Sequence, residues 1–218
     1  MWRRKMSKIK ISNTESDGVF LKIEDRLGMY LYLINVVDKV DVAQDRDFQN
    51  IYSTYFTFRG KMWTESSKYF NFMQQRKNDN TLTFETVLKC LSGRLGFVTP
   101  SFSSKLLSMI NPDKPVWDSE VLKKLDMKAP SHGSKERIKR IGDLYTEIGK
   151  EFDDYLSTVE ARERIKQFKG WYKGFLSREE AKRWTNRFYE RFPHPKYAFK
   201  TNLTDVKIID LILWQKNR

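Results

Sequence analysis

Residues 91–125 have the sequence LSGRLGFVTPSFSSKLLSMINPDKPVWDSEVLKKL, and we expect the rest of the fold to be organised around them. The stretch predicts a helix that ends near Gly93 and a tight connection over residues 96–100. A second helix is expected to begin at Ser101, and a short irregular passage then leads to a third helix that begins at Asp118. The apolar residues of the second helix fall mostly on one face: Phe102, Leu106, Leu107, Met109 and Ile110.

The start of the second helix has the residue types that suit a helix N-terminus. Thr99 is predicted to be the N-cap, because its hydroxyl can accept a hydrogen bond from a free amide. Pro100 then takes the first helical position, where its missing N–H removes no hydrogen bond. The free amides at this helix start are suited to an anion such as a phosphate group. Asp118 reaches the start of the next helix, where a carboxylate is favourable.

This arrangement resembles the helix-hairpin-helix DNA glycosylases of the endonuclease III superfamily, which carry a glycine-containing hairpin and a catalytic aspartate at a following helix start. Gly93 and Gly96 would belong to the hairpin, and the segment 116–121, Val-Trp-Asp-Ser-Glu-Val, corresponds to the aspartate motif. Ser101 precedes Asp118 by 17 positions, close to the family spacing between its lysine-or-serine position and its aspartate. The family's Leu-Pro-Gly-Val-Gly hairpin is replaced here by Gly-Arg-Leu-Gly-Phe-Val-Thr-Pro, and the similarity covers about 35 residues.

The resemblance implies an enzyme that flips a damaged or modified base out of duplex DNA and hydrolyses its N-glycosidic bond. Asp118 would be the catalytic carboxylate, and Ser101 in the lysine position implies a monofunctional enzyme, with Lys105 as the alternative nucleophile. The implied contacts to the DNA backbone are Gly93, Gly96, Thr99, Ser101, Ser103 and Lys105. The implied base pocket contains Tyr55, Phe58, Arg59 and Trp117.

Simpler interpretations of the same residues stay open. Asp118 before an apolar run is also an ordinary N-cap, and the aromatic residues of 55–58 are also the expected core face of a helix. The chain is then a helix-hairpin-helix protein that binds DNA without catalysis. A third alternative is an RNA-binding protein that uses the basic region 162–200.

The charge of the chain indicates a polyanionic partner. The net charge is +13 and the isoelectric point is about 9.7. Between Arg162 and Lys200 there are twelve Lys and Arg residues against four acidic residues, and the first ten residues add five basic side chains. Such asymmetry favours nucleic acid over an acidic protein or a membrane surface, since cations that contact phosphates release counterions. Duplex DNA is therefore the predicted partner.

Composition excludes several other classes. With one cysteine and two histidines, the chain has no zinc-binding constellation and lacks the iron–sulfur cysteines found in some members of that superfamily. No metal and no cofactor are predicted. No apolar run approaches 18 residues, and the basic start is not followed by the apolar segment of a secretory signal. We therefore expect an intracellular, cytoplasmic monomer with no membrane partner.

Helical periodicity continues through the rest of the chain and predicts an all-α fold. Helices are expected over about 23–42, 45–58, 62–76, 82–93, 134–156, 159–175, 178–191 and from about 204 to the end. Ser16-Asp17-Gly18 is predicted to be a turn. The segment 127–133, MKAPSHG, is the clearest linker. We expect a basic N-terminal arm (1–14) and two helical lobes (15–128 and 134–218), packed as one unit with the active cleft between the lobes.

Overall fold

The computed structural model describes residues 7–11 and 13–215, and side chains are described except at 13–19, 21, 25 and 215. The described residues contain α-helices and no β-strand, which confirms the all-α prediction. The helices are α1 (Asn13–Val36), α2 (Arg46–Tyr55), α3 (Lys61–Thr64), α4 (Ser66–Arg76), α5 (Phe84–Leu95), α6 (Pro100–Ile110), α7 (Ser119–Lys124), α8 (Arg137–Leu156), α9 (Val159–Phe175), α10 (Glu179–Arg191) and α11 (Asp205–Gln215).

Several helices begin where the polar residues of the sequence predict. The side chains of Asp45, Thr83 and Thr158 each accept a hydrogen bond from the amide three residues later, and so cap α2, α5 and α9. A cap of this type satisfies one of the four amides that a helix start leaves without a partner. The helix predicted over about 134–156 begins three residues later than expected, at Arg137.

Helix α1 is longer at its N-terminus than its sequence predicts. It begins at Asn13, so the turn predicted at 16–18 is wrong and these residues are helical. Phe20, Ile23 and Leu27 are all buried and extend the apolar face of α1 toward its start. Packing of that face outweighs the low helix propensity of a single glycine, which is worth about 1 kcal/mol.

Helix α1 lies at the centre of the fold and packs on α2, α9, α10 and α11. The approach to α10 is close: a Cβ atom on Gly28 would lie 2.3 Å from Cδ1 of Trp184. Only glycine leaves room for the indole ring at this distance. Although α1 falls in the first predicted lobe, it groups in space with the C-terminal helices. Buried residues from both predicted lobes belong to one hydrophobic cluster.

Residues 7–11 are docked against α8 and α9. Ile9 and Ile11 are buried. The Lys8 amide donates to the Glu151 carboxylate at 2.7 Å, and the Ile11 carbonyl accepts from Arg164 Nε at 3.0 Å. The predicted arm therefore includes an ordered segment over 7–11, and its last residues, 13 and 14, already belong to α1. Residues 1–6 lie outside the described part of the chain.

Candidate functional site

Helices α5 and α6 pack against each other across a four-residue connection, 96–99. Gly96 has a left-handed backbone conformation (φ 74°), and its amide donates to the Ser92 carbonyl at 3.0 Å. A residue with positive φ at the end of a helix is normally glycine, because it has no Cβ to clash. Helix α5 was predicted to end near Gly93 and ends at Leu95, so Gly93 lies in its last turn.

The N-terminus of α6 differs in one detail from the prediction. Thr99 is at the N-cap position and Pro100 follows it, but the Thr99 hydroxyl makes no capping hydrogen bond. The Thr99 carbonyl instead accepts from both the amide (3.0 Å) and the hydroxyl (2.8 Å) of Ser103. Ser103 is fully buried, so its side chain is not available to a DNA backbone, and this assignment was wrong. Ser101 is half-buried at the same helix start.

A small cavity lies behind α6, between the end of α2, the segment before α7, and α11. Its lining residues are Tyr55, Phe56, Lys105, Val116, Asp118, Lys207, Asp210 and Trp214. We call it the Asp118 cavity. Its volume is about 10 Å³, which is close to the space that one water molecule needs.

Four side chains of the Asp118 cavity are charged, and each is almost completely buried. The exposed fraction is 7% for Lys105, 8% for Asp118, 2% for Lys207 and 4% for Asp210. Charged residues are rarely buried to this degree unless they pair or have a functional role. The cavity therefore brings together the predicted carboxylate, Asp118, and the predicted alternative nucleophile, Lys105. Ser101 does not line it.

Asp118 is the N-cap of α7. Its Oδ1 accepts from the Glu120 amide at 3.0 Å and from the Ser119 hydroxyl at 3.5 Å. The partial positive charge of a helix start favours the ionised carboxylate. The capping interpretation of Asp118 is therefore correct, and it is compatible with a second role, because Asp118 also lines the cavity.

Lys105 is held among aromatic rings. Its Nζ lies 3.4 Å from the Phe56 carbonyl oxygen and 4.6 Å from the centre of the Phe102 ring. The Phe56 ring centre lies 5.7 Å from the same atom. Cation–π contacts of this kind help to offset the desolvation of a buried ammonium group.

Three hydrogen bonds hold the segment 115–117 that leads to Asp118. The Tyr145 hydroxyl donates to the Pro115 carbonyl at 2.7 Å. The Val116 amide donates to Asp210 Oδ1 at 3.3 Å, and the Trp117 amide donates to Ser104 Oγ at 2.8 Å. The position of the Asp118 backbone is therefore determined by side chains from three different helices, α8, α11 and α6.

Lys207 and Asp210 form a buried ion pair on α11, with Lys207 Nζ 3.0 Å from Asp210 Oδ2. The Lys207 ammonium also lies 4.5 Å from the centre of the Tyr30 ring. Burial raises the pKa of Asp210 above its usual range. The Lys207 charge and the Val116 amide oppose that rise in pKa, and the nearby Asp118 carboxylate adds to it.

Most of the predicted base-pocket residues lie elsewhere. Tyr55 lines the Asp118 cavity, but Phe58 packs edge to face on Phe102 in the core, at 4.8 Å between ring centres. Trp117 is buried and lies parallel to Phe84, with 6.3 Å between ring centres, and it does not line the cavity. Arg59 is exposed. The structure therefore brings only Tyr55 of the four together with Asp118.

Three cavity residues lie outside every segment that the sequence interpretation assigned to the site: Lys207, Asp210 and Trp214. A signal was present for two of them. Lys207 and Asp210 are charged residues three positions apart in the otherwise apolar run VKIIDLILW. Charges within such a run predict an inward-facing pair at i, i+3.

The basic region 162–200 does not form one uniform surface. On α10 and just before it, Arg178 pairs with Glu24, Arg187 with Asp47, and Arg191 with both Asp45 and Asp47. On α9 four exposed cations line a groove of about 500 Å³: Arg162, Lys166, Lys169 and Lys173. We call them the α9 basic face. Its only acidic lining residue is Asp205, which pairs with Lys169 at 2.7 Å.

Within the described part of the chain, no group of three or more His, Cys, Asp or Glu side chains is arranged to hold a metal ion. None of the helices described between residues 13 and 215 is both long and apolar enough to span a membrane. Comparisons with protein-family models, curated proteins and solved structures found no match.

Proposed function

We propose that this protein is a DNA N-glycosylase that flips a damaged or modified base out of DNA and cleaves its N-glycosidic bond. One observation carries the proposal: Asp118 and Lys105 line the same enclosed cavity, directly behind the helix–turn–helix unit of α5 and α6. In this proposal α5, Gly96 and α6 act as a DNA-gripping hairpin. In this proposal the flipped nucleotide enters between the two predicted lobes and reaches the Asp118 cavity when the lining side chains move.

Asp118 would act on the charge that develops during bond cleavage. When the N-glycosidic bond breaks, its electron pair leaves with the base and positive charge builds on the deoxyribose ring. An ionised carboxylate held at a helix start and sheltered from water stabilises that charge more strongly than an exposed one does. In a monofunctional enzyme Asp118 orients a water molecule whose oxygen then bonds to the sugar carbon. The proton that this water loses neutralises the negative charge of the departing base.

The cavity lining favours Lys105 over Ser101 as the group beside Asp118. In the lyase alternative the unprotonated Lys105 amine bonds to the sugar carbon. The nucleobase leaves at the same time with the electrons of the N-glycosidic bond. Ring opening and loss of a proton from nitrogen then give a Schiff base between protein and sugar. We therefore extend the proposal from the monofunctional enzyme implied by Ser101 to a bifunctional one that uses Lys105.

Access of a base requires movement of the lining side chains, because a volume of about 10 Å³ holds no more than a water molecule. Arg26 contacts two of the lining residues. Its guanidinium donates to the Tyr55 carbonyl at 3.2 Å and lies 4.6 Å from the centre of the Trp214 ring. We propose that DNA binding displaces Trp214. Base flipping itself requires a few kcal/mol, offset by stacking and phosphate contacts.

DNA-backbone contacts are proposed at two places. The first is the start of α6, with Gly96 and Ser101. Thr99 and Lys105 were also predicted to contact the DNA backbone, but both are buried, as Ser103 is, and they are not part of this surface. The second is the α9 basic face, whose groove is lined, among the described residues, by four cations and one acidic side chain, Asp205. Cations that contact phosphates release counterions and supply most of the sequence-independent affinity. The α10 arginines contribute less in this proposal, because acidic side chains already neutralise them.

A panel of duplexes tests the activity. Each duplex carries one damaged or modified base, and free base and alkali-labile sites are measured after incubation with the wild-type protein and with Asp118→Asn. We expect release from at least one duplex by the wild type only. Absence of release from every duplex, together with tight duplex binding, would instead support the second candidate, a DNA-binding protein without catalysis. The small cavity and the capping role of Asp118 favour that candidate.

A further inference from the structure

Helix α11 is an apolar, buried helix that carries one inward-facing ion pair. Lys207 and Asp210 are both almost completely buried, and both line the Asp118 cavity. A buried ion pair rarely adds net stability over apolar side chains of similar size, because both charges lose their hydration. A pair retained at this position therefore points to a role other than stability.

The two carboxylate oxygens of Asp210 have different partners. Oδ2 accepts from Lys207 Nζ at 3.0 Å, and Oδ1 accepts from the Val116 amide at 3.3 Å. Val116 precedes Asp118 by two residues in an extended segment with no helical hydrogen bonds of its own. Lys207 thus fixes one oxygen and orients the other toward the segment that carries Asp118.

We propose that Asp210 is a positioning residue for Asp118. Its hydrogen bond to Val116 holds the extended segment so that the Asp118 carboxylate lies in the cavity, and Lys207 keeps the Asp210 carboxylate in the required orientation. The consequence for catalysis rests on the proposed function of Asp118. The proposed hydrogen-bond role of Asp210 does not rest on that function, because it concerns only which group accepts the hydrogen bond of the Val116 amide.

The matched test uses two double variants that both lack the buried ion pair. Lys207→Met/Asp210→Asn keeps an oxygen acceptor for the Val116 amide, whereas Lys207→Met/Asp210→Ala removes it. A third variant, Lys207→Met/Asp210→Leu, also lacks the acceptor and fills the vacated space, and it replaces the Ala form if that form does not fold. Two quantities are measured: hydrogen exchange of the Val116 amide by NMR, and single-turnover release of base at saturating protein.

We expect the Val116 amide to exchange about tenfold faster or more in the Ala or Leu form than in the Asn form, at equal global stability. Base release should fall on the order of 10- to 100-fold in the form without the acceptor, because small misplacements of a reacting group have effects of this size. The Asn form should restore most of the wild-type rate. Duplex affinity should be unchanged in all forms.

Equal exchange of Val116 in the Asn and Ala forms would overturn the inference, whatever the activity. Faster exchange with equal rates of base release would also overturn it, since Asp118 would then not depend on this hydrogen bond. If the wild type releases no base from any duplex, the proposed function fails separately. The exchange comparison then still decides whether Asp210 holds the segment that carries Asp118.

Discussion

Removing Lys207 should make the stability of the protein depend on pH in a direction that the structure specifies. The substitution Lys207→Met takes away the ammonium that lies 3.0 Å from Asp210 Oδ2 and leaves that carboxyl buried. Burial already raises the pKa of Asp210, and Lys207 opposes the rise, so the variant should raise the pKa further. Breaking a buried pair by removing one partner typically costs about 3–5 kcal/mol.

The sign follows from proton binding. A carboxyl group whose pKa is higher in the folded state than in the unfolded state holds more protons when folded. Its folded state is therefore destabilised as pH rises from the unfolded pKa, near 3.9, through the folded pKa. Each pH unit in that window costs about 1.4 kcal/mol. The loss stops growing once the pH exceeds the pKa of Asp210 in the variant, and the general cost of a broken buried pair, about 3–5 kcal/mol, gives its scale.

The assay is urea denaturation of Lys207→Met and the wild type between pH 4.5 and 8.5. We expect the difference in unfolding free energy to grow with pH. The variant Asp210→Asn is the matched control, because it breaks the same ion pair but leaves no carboxyl group at this position to titrate. Its difference from the wild type should stay constant or shrink over the same range. A decrease in unfolding free energy that is equal at every pH for Lys207→Met would contradict this prediction.

Three further predictions use other parts of the structure. Gly28→Ala should lower the unfolding free energy by about 1–3 kcal/mol in thermal melts, because its Cβ would overlap the Trp184 ring. The control is Gly142→Ala in α8, where a Cβ meets nothing within 4 Å, and it should raise the unfolding free energy by about 0.5–1 kcal/mol. Borohydride should trap a covalent adduct between the wild-type protein and a cleavable duplex and none with Lys105→Ala; an adduct that survives the substitution would place the nucleophile elsewhere. Neutralising the α9 basic face with Gln should flatten the dependence of log affinity on log salt by about 0.9 per lost phosphate contact. Lys68→Gln, at a lysine of α4 that pairs with Glu65, should leave that slope unchanged.

Local signals in the sequence were sufficient for most helix boundaries. Thr83, Gly96 and Pro100 each mark a helix boundary through a preference of their own backbone or side chain, and the structure has helix ends at all three. The turn predicted at 16–18 failed because a nonlocal effect decided it. Burial of Phe20 and Ile23 against distant helices stabilises α1 beyond its local propensity.

The candidate site was only partly predictable for the same reason. Asp118 follows from its position at a helix start, which the sequence pattern contains. The partner of the Val116 amide, Asp210, lies 94 residues away, and no local rule connects the two. The neutralisation of Arg191 by Asp45 is likewise a contact between distant segments. A count of charges along the chain therefore predicted one basic region, 162–200, whereas in the fold Arg178, Arg187 and Arg191 pair with acidic side chains and four α9 cations line an exposed groove.

The central claim is that the Asp118 carboxylate stabilises the cation that forms as the base leaves. It is tested most directly by single-turnover base release with Asp118→Asn, which keeps the size of the side chain and its ability to cap α7. We expect release to fall by about 10²–10³-fold, a change in unfolding free energy below about 1 kcal/mol, and duplex affinity equal to or above that of the wild type. An Asp118→Asn protein that is folded, binds the duplex and releases base at the wild-type rate would contradict the claim.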